Sequence, residues 1–410
     1  MPAGIVLLTA GQPSSNPRLV KEAIALAESG YKVTVLYCYW IAWAEKGDEQ
    51  LFREHPSIDW IRVGGHPVYE KGIYWFTRIR HKWVRMLSNL FPRNLRIQQG
   101  AYIRCFNELK KAAMRQKAGL YIAHNLGALA PAALAARKNK TLYGFDGEDY
   151  FRGQSSANDP NAKKVILIED AYLPDGAYHT AASPLIGTRY KDDYPGIHPV
   201  VVNNVFSLSF LQPAPLPYLL NEELKLFWFS QTVGAGRGLE EVIAAMGNLG
   251  TQNISCTILG SCSPGMKTQL LSVAASNGVQ EPQLRFIEPV LLPEIFRLAA
   301  DHHIGLATET GMNLNNEIAL SNKILSYPLA GLAIVASDTS AQQLFLEEHP
   351  GTGRLYKRGD TAGLAGIFDL FMHDPERLNA LRQNAYDLAK QTLNWEYEKE
   401  VFLGIIKGIV

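Results

Sequence analysis

Apolar residues recur along this chain in two alternating rhythms. Residues 5–8 form an unbroken apolar run, the pattern of a parallel strand covered on both faces. Ala10-Gly11-Gln12-Pro13-Ser14-Ser15-Asn16 is turn chemistry, and Pro17 suits the first turn of a helix. Val20, Ile24 and Ala27 then fall at helical spacing, Gly30 is placed to end the helix, and residues 33–36 read as a second strand. Strand, helix and strand in this order predict a parallel sheet.

The same grammar restarts near residue 225. Residues 226–229 are strand-like, Gly234-Ala235-Gly236-Arg237-Gly238 is a loop, residues 239–246 are helical and residues 254–259 form a strand. Residues 284–287, 304–307 and 333–336 continue as strands between helical stretches. Between the halves, Leu211-Gln212-Pro213-Ala214-Pro215-Leu216-Pro217 places three prolines within five residues, which is linker composition. The expected fold is α/β: two Rossmann-like doubly wound domains facing a cleft. Ligands of such sheets bind outside the carboxyl ends of the strands, which puts the expected site in that cleft.

A length of 410 residues fits two such domains, and 47% hydrophobic with 19% charged residues fits a soluble globular protein. The balance of 40 Lys+Arg against 39 Asp+Glu argues against a general nucleic-acid binder. No apolar run approaches the ~18 residues that a membrane span requires. Met1-Pro2-Ala3-Gly4 leads straight into a strand without a basic lead or cleavage site, so a cytoplasmic location is expected. Cys38, Cys105, Cys256 and Cys262 form no C-x-x-C pair and read as ordinary thiols.

Candidate chemistry is concentrated at three places. The G-x-G-x-G loop at residues 234–238 can bring backbone N–H groups to an anion, with Arg237 as a side-chain cation; such loops also simply reverse a chain. Around Glu309, Glu317, Asn322 and Lys323, residues 311–316 read as a polar loop and a short helix runs on toward Gly331. Asn322 and Lys323 in its first turn can hold a diphosphate, or cap a surface helix with the lysine in solvent. The third place lies between Glu70 and Glu108. There Lys71, Arg78, Arg80, Lys82, Arg85, Arg93, Arg96 and Arg104 occur without one carboxylate, interleaved with Tyr74, Trp75, Phe76, Trp83, Leu87, Leu90 and Phe91. That mixture suits an anionic membrane surface or lipid-diphosphate acceptor, or else a solvated helix face with its aromatics turned inward. A nicotinamide-dependent dehydrogenase fits poorly, because the acid some way beyond Gly11 is Glu28, inside the helix. Asp301-His302-His303 looks metal-like, but histidines at a helix C-terminus are favoured by the dipole in any case. No D-x-D pair is placed to hold a divalent ion, so no metal and no cofactor beyond the donor substrate is expected.

Asn322-Lys323-Ile-Leu-Ser326-Tyr-Pro328-Leu-Ala-Gly331-Leu-Ala-Ile-Val-Ala-Ser337-Asp338 resembles the NKLFEYMAAGLPVVASD signature of GT-B glycosyltransferases of the family-4 type. Asn16-Pro17-Arg18 with the helix that follows, Tyr121-Ile-Ala-His124-Asn125, Phe145-Asp146-Gly-Glu148-Asp-Tyr150, residues 200–205 and the stretch from Phe229 to Glu240 are similar to further family segments in the same order. The resemblance implies an acceptor-side domain at 1–205, a linker at 206–222, a nucleotide-sugar domain at 223–390 and a C-terminal helix at 391–410 packing back on the first domain. It implies that Arg237 and Lys323 neutralise the donor diphosphate with Gly236 and Asn322 beside them, that Val290 edges the nucleobase after Glu288 and Pro289, that His124 contacts the donor sugar, and that Gly11 and Gln12 form the opposite wall. Asp146 and Glu148 would lie in a loop lining the acceptor side.

Several positions depart from the signature. Ser326 stands where the family carries the glutamate that holds the ribose, and a hydroxyl offers one contact where a carboxylate accepts two. Gln231 stands where the loop arginine is usual, and Pro328 should kink its helix. The eight-residue spacing of Glu309 and Glu317 mimics the family's paired glutamates but is out of register with Gly331. Of the two, Glu309 is the better substitute carboxylate, because it follows the strand at 304–307. The function implied is transfer of a sugar, with retention, from a nucleotide-diphosphate sugar to a glycan, lipid-linked or small-molecule acceptor in cell-surface polysaccharide synthesis, at the inner face of a membrane touched through residues 71–104. The alternatives are a GT-B nucleotide-sugar epimerase and a non-catalytic sugar-nucleotide-binding protein.

Overall fold

The apolar runs become the strands of two parallel sheets. The computed structural model describes residues 4–156 and 159–410, so the lead Met1-Pro2-Ala3 lies outside the described residues. The first sheet contains β1 (Gly4–Thr9), β2 (Lys32–Cys38), β3 (Asp59–Val63), β4 (Leu120–His124), β5 (Leu142–Gly147), β6 (Tyr178–Ala181) and β7 (Val200–Val201). The second contains β8 (Leu224–Val233), β9 (Ile254–Cys262), β10 (Leu284–Ile287), β11 (Ile304–Ala307), β12 (Ala333–Ser337) and β13 (Gly353–Tyr356). The orders are β3-β2-β1-β4-β5-β6-β7 and β10-β9-β8-β11-β12-β13. Both sheets are doubly wound, as the sequence pattern predicts. Strand order reverses between β1 and β4 in one and between β8 and β11 in the other, and ligand sites of such sheets lie at these switch points. Every residue of β12 is buried, which is why residues 333–336 read as an unbroken apolar run; β4 is buried as completely but ends on His124.

Two compact units result, Met1–Asn203 with Lys399–Val410 and, separately, Asn204–Glu398. In the first unit, the helix Pro17–Glu28 starts on Asn16, whose side chain accepts from the Leu19 N–H at 3.1 Å, and Gly30 follows its end at φ +86°. The apolar stripe that periodicity picks out, Val20, Ile24 and Ala27, is only half-buried. The inner face is instead Arg18, Leu19, Glu22, Ala23 and Leu26. Two of those inward positions are charged because their partners are buried in the sheet beneath, so a purely apolar search lands on the wrong side of the helix.

In the second unit the proline-rich stretch is held along the surface. Gln212 N–H donates to Leu329 O at 2.9 Å, and buried Arg382 donates to Leu216 O at 2.7 Å and Gly331 O at 3.1 Å. The segment read as a loop at 311–316 contains the start of a short helix, Leu314–Ile318, capped by Asn313, whose side chain accepts from the Asn316 N–H at 2.8 Å. Beyond it the helix Asn322–Ser326 tightens into a 3-10 turn, Tyr327–Ala330, rather than kinking. Pro328 lacks an N–H and so fits the tighter turn. Tyr327 lies flat over β11 and donates its hydroxyl to Leu306 O at 2.7 Å. Its ring occupies the space a side chain at Gly305 would take. Gly305→Val should therefore lower stability by about 1–3 kcal/mol, the usual penalty for overpacking, in a denaturant titration; an unchanged midpoint would contradict this packing.

Candidate functional site

The first switch point is built from the ends of β1 and β4. Thr9 Oγ1 accepts from Gly11 N–H at 3.2 Å and from Asn125 Nδ2 at 3.0 Å, joining the two strand ends. Asn125 sits at φ +64° and ψ 160°, a positive-φ conformation rare for any residue with a side chain. Gln12 is fully buried, and its amide is spent on structure. Its Nε2 donates to Asp48 Oδ2 at 2.8 Å, and its Oε1 accepts from the Trp40 and Ile41 N–H groups at 3.0 and 2.7 Å. Gln12 therefore fixes the segment after β2, while Gly11 presents backbone at the strand end.

Behind this rim lies a buried set of charges. Arg18 grips Asp146 through two hydrogen bonds, Nε to Oδ2 at 2.8 Å and Nη2 to Oδ1 at 2.5 Å, and its Nη1 donates to Val202 O at 2.6 Å. Thr180 Oγ1 adds a bond to Asp146 at 2.7 Å. His124 Nε2 stands 3.1 Å from Glu22 Oε2 and Nδ1 stands 3.3 Å from Asp146 Oδ2, close ionic contacts whose angles fall short of hydrogen bonds. Burial alone would lower the imidazole pKa, but Glu22 and Asp146 more than reverse this and push it up to about 10. Despite burial, Arg18 holds Asp146 well below the usual carboxylate range. Burial pushes Glu22 up. Burial, then Asp146, pushes Glu148 up to about 7; its Oε2 accepts from Asn16 Nδ2 at 3.0 Å.

Sequence reasoning placed His124 against a ligand and Asp146 in a loop. The structure seats His124 with no exposed surface between two carboxylates, and Asp146 inside β5. The reason is charge: a carboxylate inside the sheet requires cations, and Arg18 and His124 supply them. Among the described residues, Glu22, His124 and Asp146 are also the set whose potential metal-ligating atoms lie within 4.8 Å of one another. Here Arg18 already takes both oxygens of Asp146, so the compensating cation is a guanidinium.

At the second switch point, β8 leads into the loop at 234–238 and the helix Leu239–Leu249. Gly238 sits at φ +74° against the Thr308 carbonyl, in a place where a Cβ would stand 2.5 Å from that oxygen. The loop is fastened to the end of β11: Thr308 Oγ1 donates to Arg237 O at 2.6 Å, and Thr310 Oγ1 to Gly236 O at 2.9 Å. Arg237 itself is exposed. Lys323 Nζ donates to Glu309 Oε1 at 2.6 Å and lies 5.1 Å from the centre of the Trp228 ring. Ser321 also donates to Glu309. Burial opposes ionisation of Glu309, yet Lys323, Ser321 and Arg237 together hold its pKa below the ordinary value. Asn322 accepts from Asn204 Nδ2 at 3.0 Å.

Thus Lys323 and Glu309 are in direct contact, and the backbone of Gly236 and Arg237 is fastened to the strand end from which Glu309 follows, while Asn322 turns to Asn204. Gln231 does not join them, being an exposed residue of β8 at the irregularity between Phe229 and Thr232 rather than part of the loop. Ser326 is buried and donates its hydroxyl to Asn322 O at 2.5 Å, so its single donor is bound within its own helix. Val290 lies half-buried beyond β10, the edge strand of this sheet. Glu317 belongs to another network, with Arg358 Nη1 at 2.8 Å and Ser340 N at 2.9 Å. His302 and His303 are structural: the ring of one bridges Leu298 O and Thr257 Oγ1, and Nδ1 of the other accepts from the Lys225 N–H. Trp228, Arg18 and Glu22 are participants that sequence reasoning missed. A charged residue repeating at helical spacing on the face toward the sheet is the signal that marks the last two.

This arrangement of two sheets has counterparts among solved structures. HepE from Anabaena, crystallised with UDP, matches at a TM-score of 0.70 and 15% identity over 99% of this chain and 100% of that one. The chain has the GT-B fold. Sucrose-phosphate synthase from Thermosynechococcus elongatus matches at 0.70 and 12% identity over 99% and 98%, so glycosyltransferases of this fold are among the structural neighbours. A UDP-GlcNAc 2-epimerase from Neisseria meningitidis bound to UDP-GlcNAc matches at 0.59 and 13% identity over 98% and 99%. No protein-family model matches the chain, and no curated protein matches it.

His124 binds its proton more tightly in the folded GT-B chain than at its ordinary value of 6.5. Its stabilising contribution is complete below that value and lost as pH rises through about 10. Glu148, also raised, acts in the same direction between 4.5 and about 7. Urea denaturation should show stability falling between neutral pH and pH 10, and His124→Gln should flatten that fall; an identical slope in the variant would remove the assignment.

Proposed function

We propose that this chain is a retaining glycosyltransferase of the family-4 type, drawing a sugar from a nucleoside-diphosphate donor held by its second unit. The observation that carries the reading is Lys323 paired with Glu309 at 2.6 Å, beside a glycine loop that carries Arg237 and is fastened to the end of β11 by Thr308 and Thr310. A diphosphate leaving group develops charge as its bond to the sugar breaks, and preorganised cations are the means of stabilising it. The N-terminus of the Leu239–Leu249 helix adds backbone N–H groups beside Arg237. HepE with UDP and UDP-glucose supports a donor of that type on this fold.

In the proposed reaction, the bond between the anomeric carbon and the diphosphate oxygen breaks on the face where the acceptor oxygen forms its bond. The acceptor proton passes to the departing phosphate, and the nucleoside diphosphate leaves. Glu309, kept ionised, faces the positive charge developing on the sugar once the donor diphosphate has taken Lys323. Val290 borders the base. His124 is a positioning residue that fixes the end of β4, and Gly11 lines the acceptor side together with Asn125. The acceptor is a glycan, a lipid-linked molecule or a small molecule, in a polysaccharide pathway on this reading.

The epimerase of the same fold motivates a second reading, in which the donor alone is the substrate. Product analysis of donor incubated without acceptor separates the two: a changed sugar still attached to its nucleotide supports epimerisation and removes transfer. Nucleoside diphosphates should raise the melting temperature, and Lys323→Ala should weaken their binding roughly 10- to 100-fold, the loss of one charge-assisted contact. Arg237→Ala should act in the same sense. If no nucleotide shifts the melting curve, neither reading survives.

A further inference from the structure

The helix Lys71–Leu90 is the part of the first unit whose surface chemistry donor binding does not use. Over its 20 residues, Thr77 and Ser88 are the buried ones. Trp75, Phe76, Ile79, Trp83, Met86 and Leu90 are each more than half exposed. At 3.6 residues per turn those six fall within an arc of about 100°, roughly opposite the buried pair. Contiguous exposed apolar surface of this kind marks a site of association. Arg78, Lys82 and Arg85 run along one flank of the arc, and the helix carries no carboxylate.

That flank opens into a cavity of about 1280 Å³, whose far wall brings Lys163 and Lys164 from the helix Pro160–Tyr172. Among the described residues, no carboxylate lines it. Lys82, Arg85, Lys163 and Lys164 make no ion pair among the described residues. The contrast lies on the same helix: Arg80, on the other flank, is paired through two bonds of 2.6 Å to Glu108. Arg104 is also spoken for, donating to Gly64 O, Thr77 Oγ1 and Tyr39 O, and so braces the wall. Burial, followed by Arg85, lowers the Lys164 pKa, with Asp159 at the head of its helix acting the other way. Cations crowded like this repel one another until an anion enters.

A second cavity of about 620 Å³ shares Arg85 and Lys164 with the first and reaches Gly11 and Asn125. The cationic space is therefore continuous with the ends of β1 and β4. A dissolved sugar phosphate would satisfy the cations but leave Trp75, Ile79 and Trp83 in water. An acidic protein could cover the helix, but it would carry its anionic and apolar groups on separate side chains rather than joined in one molecule. A lipid with a phosphate headgroup has its charge and its apolar part joined in the same order as they occur here. No helix among the described residues is long and apolar enough to cross a membrane, so attachment of this kind is from the surface.

We propose that this cavity binds a phosphate-bearing membrane lipid, with the apolar arc of the Lys71–Leu90 helix seated in the bilayer interface and the cations of the cavity on the phosphate. That the lipid is the sugar acceptor rests on the transferase reading above; the binding itself does not.

The test is sedimentation of the full chain with vesicles of phosphatidylcholine alone and of phosphatidylcholine mixed with phosphatidylglycerol, with inorganic phosphate as competitor. Binding should require the anionic lipid, weaken with salt and survive inorganic phosphate at matched ionic strength. Each cation removed should cost about fivefold, so Lys82→Ala with Arg85→Ala should lose roughly twenty-five-fold. Trp75→Ser with Trp83→Ser should also release the chain. In the unaltered protein, tryptophan emission should move to shorter wavelength on anionic vesicles. No sedimentation and no emission shift would overturn the proposal. Binding displaced by inorganic phosphate and indifferent to Trp75 and Trp83 would overturn it in favour of a site for dissolved anions. Vesicle binding lost while nucleotides still raise the melting temperature removes this proposal alone; the reverse pattern removes the donor reading alone.

Discussion

Asp146 is a carboxylate inside a parallel sheet, and the first unit is arranged so that it never stands alone. Arg18 reaches it from the first helix with two hydrogen bonds and holds the chain leaving the sheet through Val202 O. Thr180 reaches it from β6 and His124 from β4. One carboxylate thus registers a helix, two neighbouring strands and the segment beyond β7 against each other. A buried pair of this kind gains little over well-packed apolar residues, but breaking it by removing one partner costs about 3–5 kcal/mol. The arrangement acts as a constraint on geometry more than as a source of stability. His124, whose ring Asp146 and Glu22 hold, directly precedes the positive-φ Asn125 at the end of β4.

The two sheets share one winding order and differ in what they place at the switch point. In the first unit, fixed side chains are turned inward: Gln12 to Asp48 and backbone, His124 to Glu22 and Asp146. What faces outward there is backbone, with cations supplied from helices further along. In the second unit the cations are at the switch point itself, on the glycine loop and on the short helix of Lys323. On the transferase reading proposed above, this division suits two different substrates, one recognised by its diphosphate and one admitted by the shape and charge of a wider space.

The inner strands β1, β8, β9, β11 and β12, with β2 and β10, were legible because buried parallel strands leave apolar runs punctuated by turn residues. The edge strands β3 and β13, only partly buried, left no such run. The glycine loop, Glu309 and Lys323 were legible because their chemistry stands out from their neighbours. Arg18 and Glu22 were not, because a buried charge looks like a surface residue until its partner on a distant strand is known. The same blindness put the apolar stripe of the first helix on its half-buried side. Gln12 and Ser326 misled in the opposite sense: both are polar in promising places, and both prove to be consumed by local hydrogen bonds. The short helix Leu314–Ile318 was missed because its asparagines read as turn chemistry, although Asn313 uses that chemistry to cap it.

The contact between Glu309 and Lys323 gives the second unit a resident counter-ion. Lys323 is mostly buried, and without a ligand its charge is already balanced at 2.6 Å. An entering anion must perform an exchange, not merely an attraction, and it succeeds only by offering more than a single carboxylate does. On the transferase reading proposed above, a diphosphate that also meets Arg237 makes that offer, and the displaced Glu309 is left charged beside the sugar rather than beside the lysine. Loading the site would then both select its ligand and arm the carboxylate.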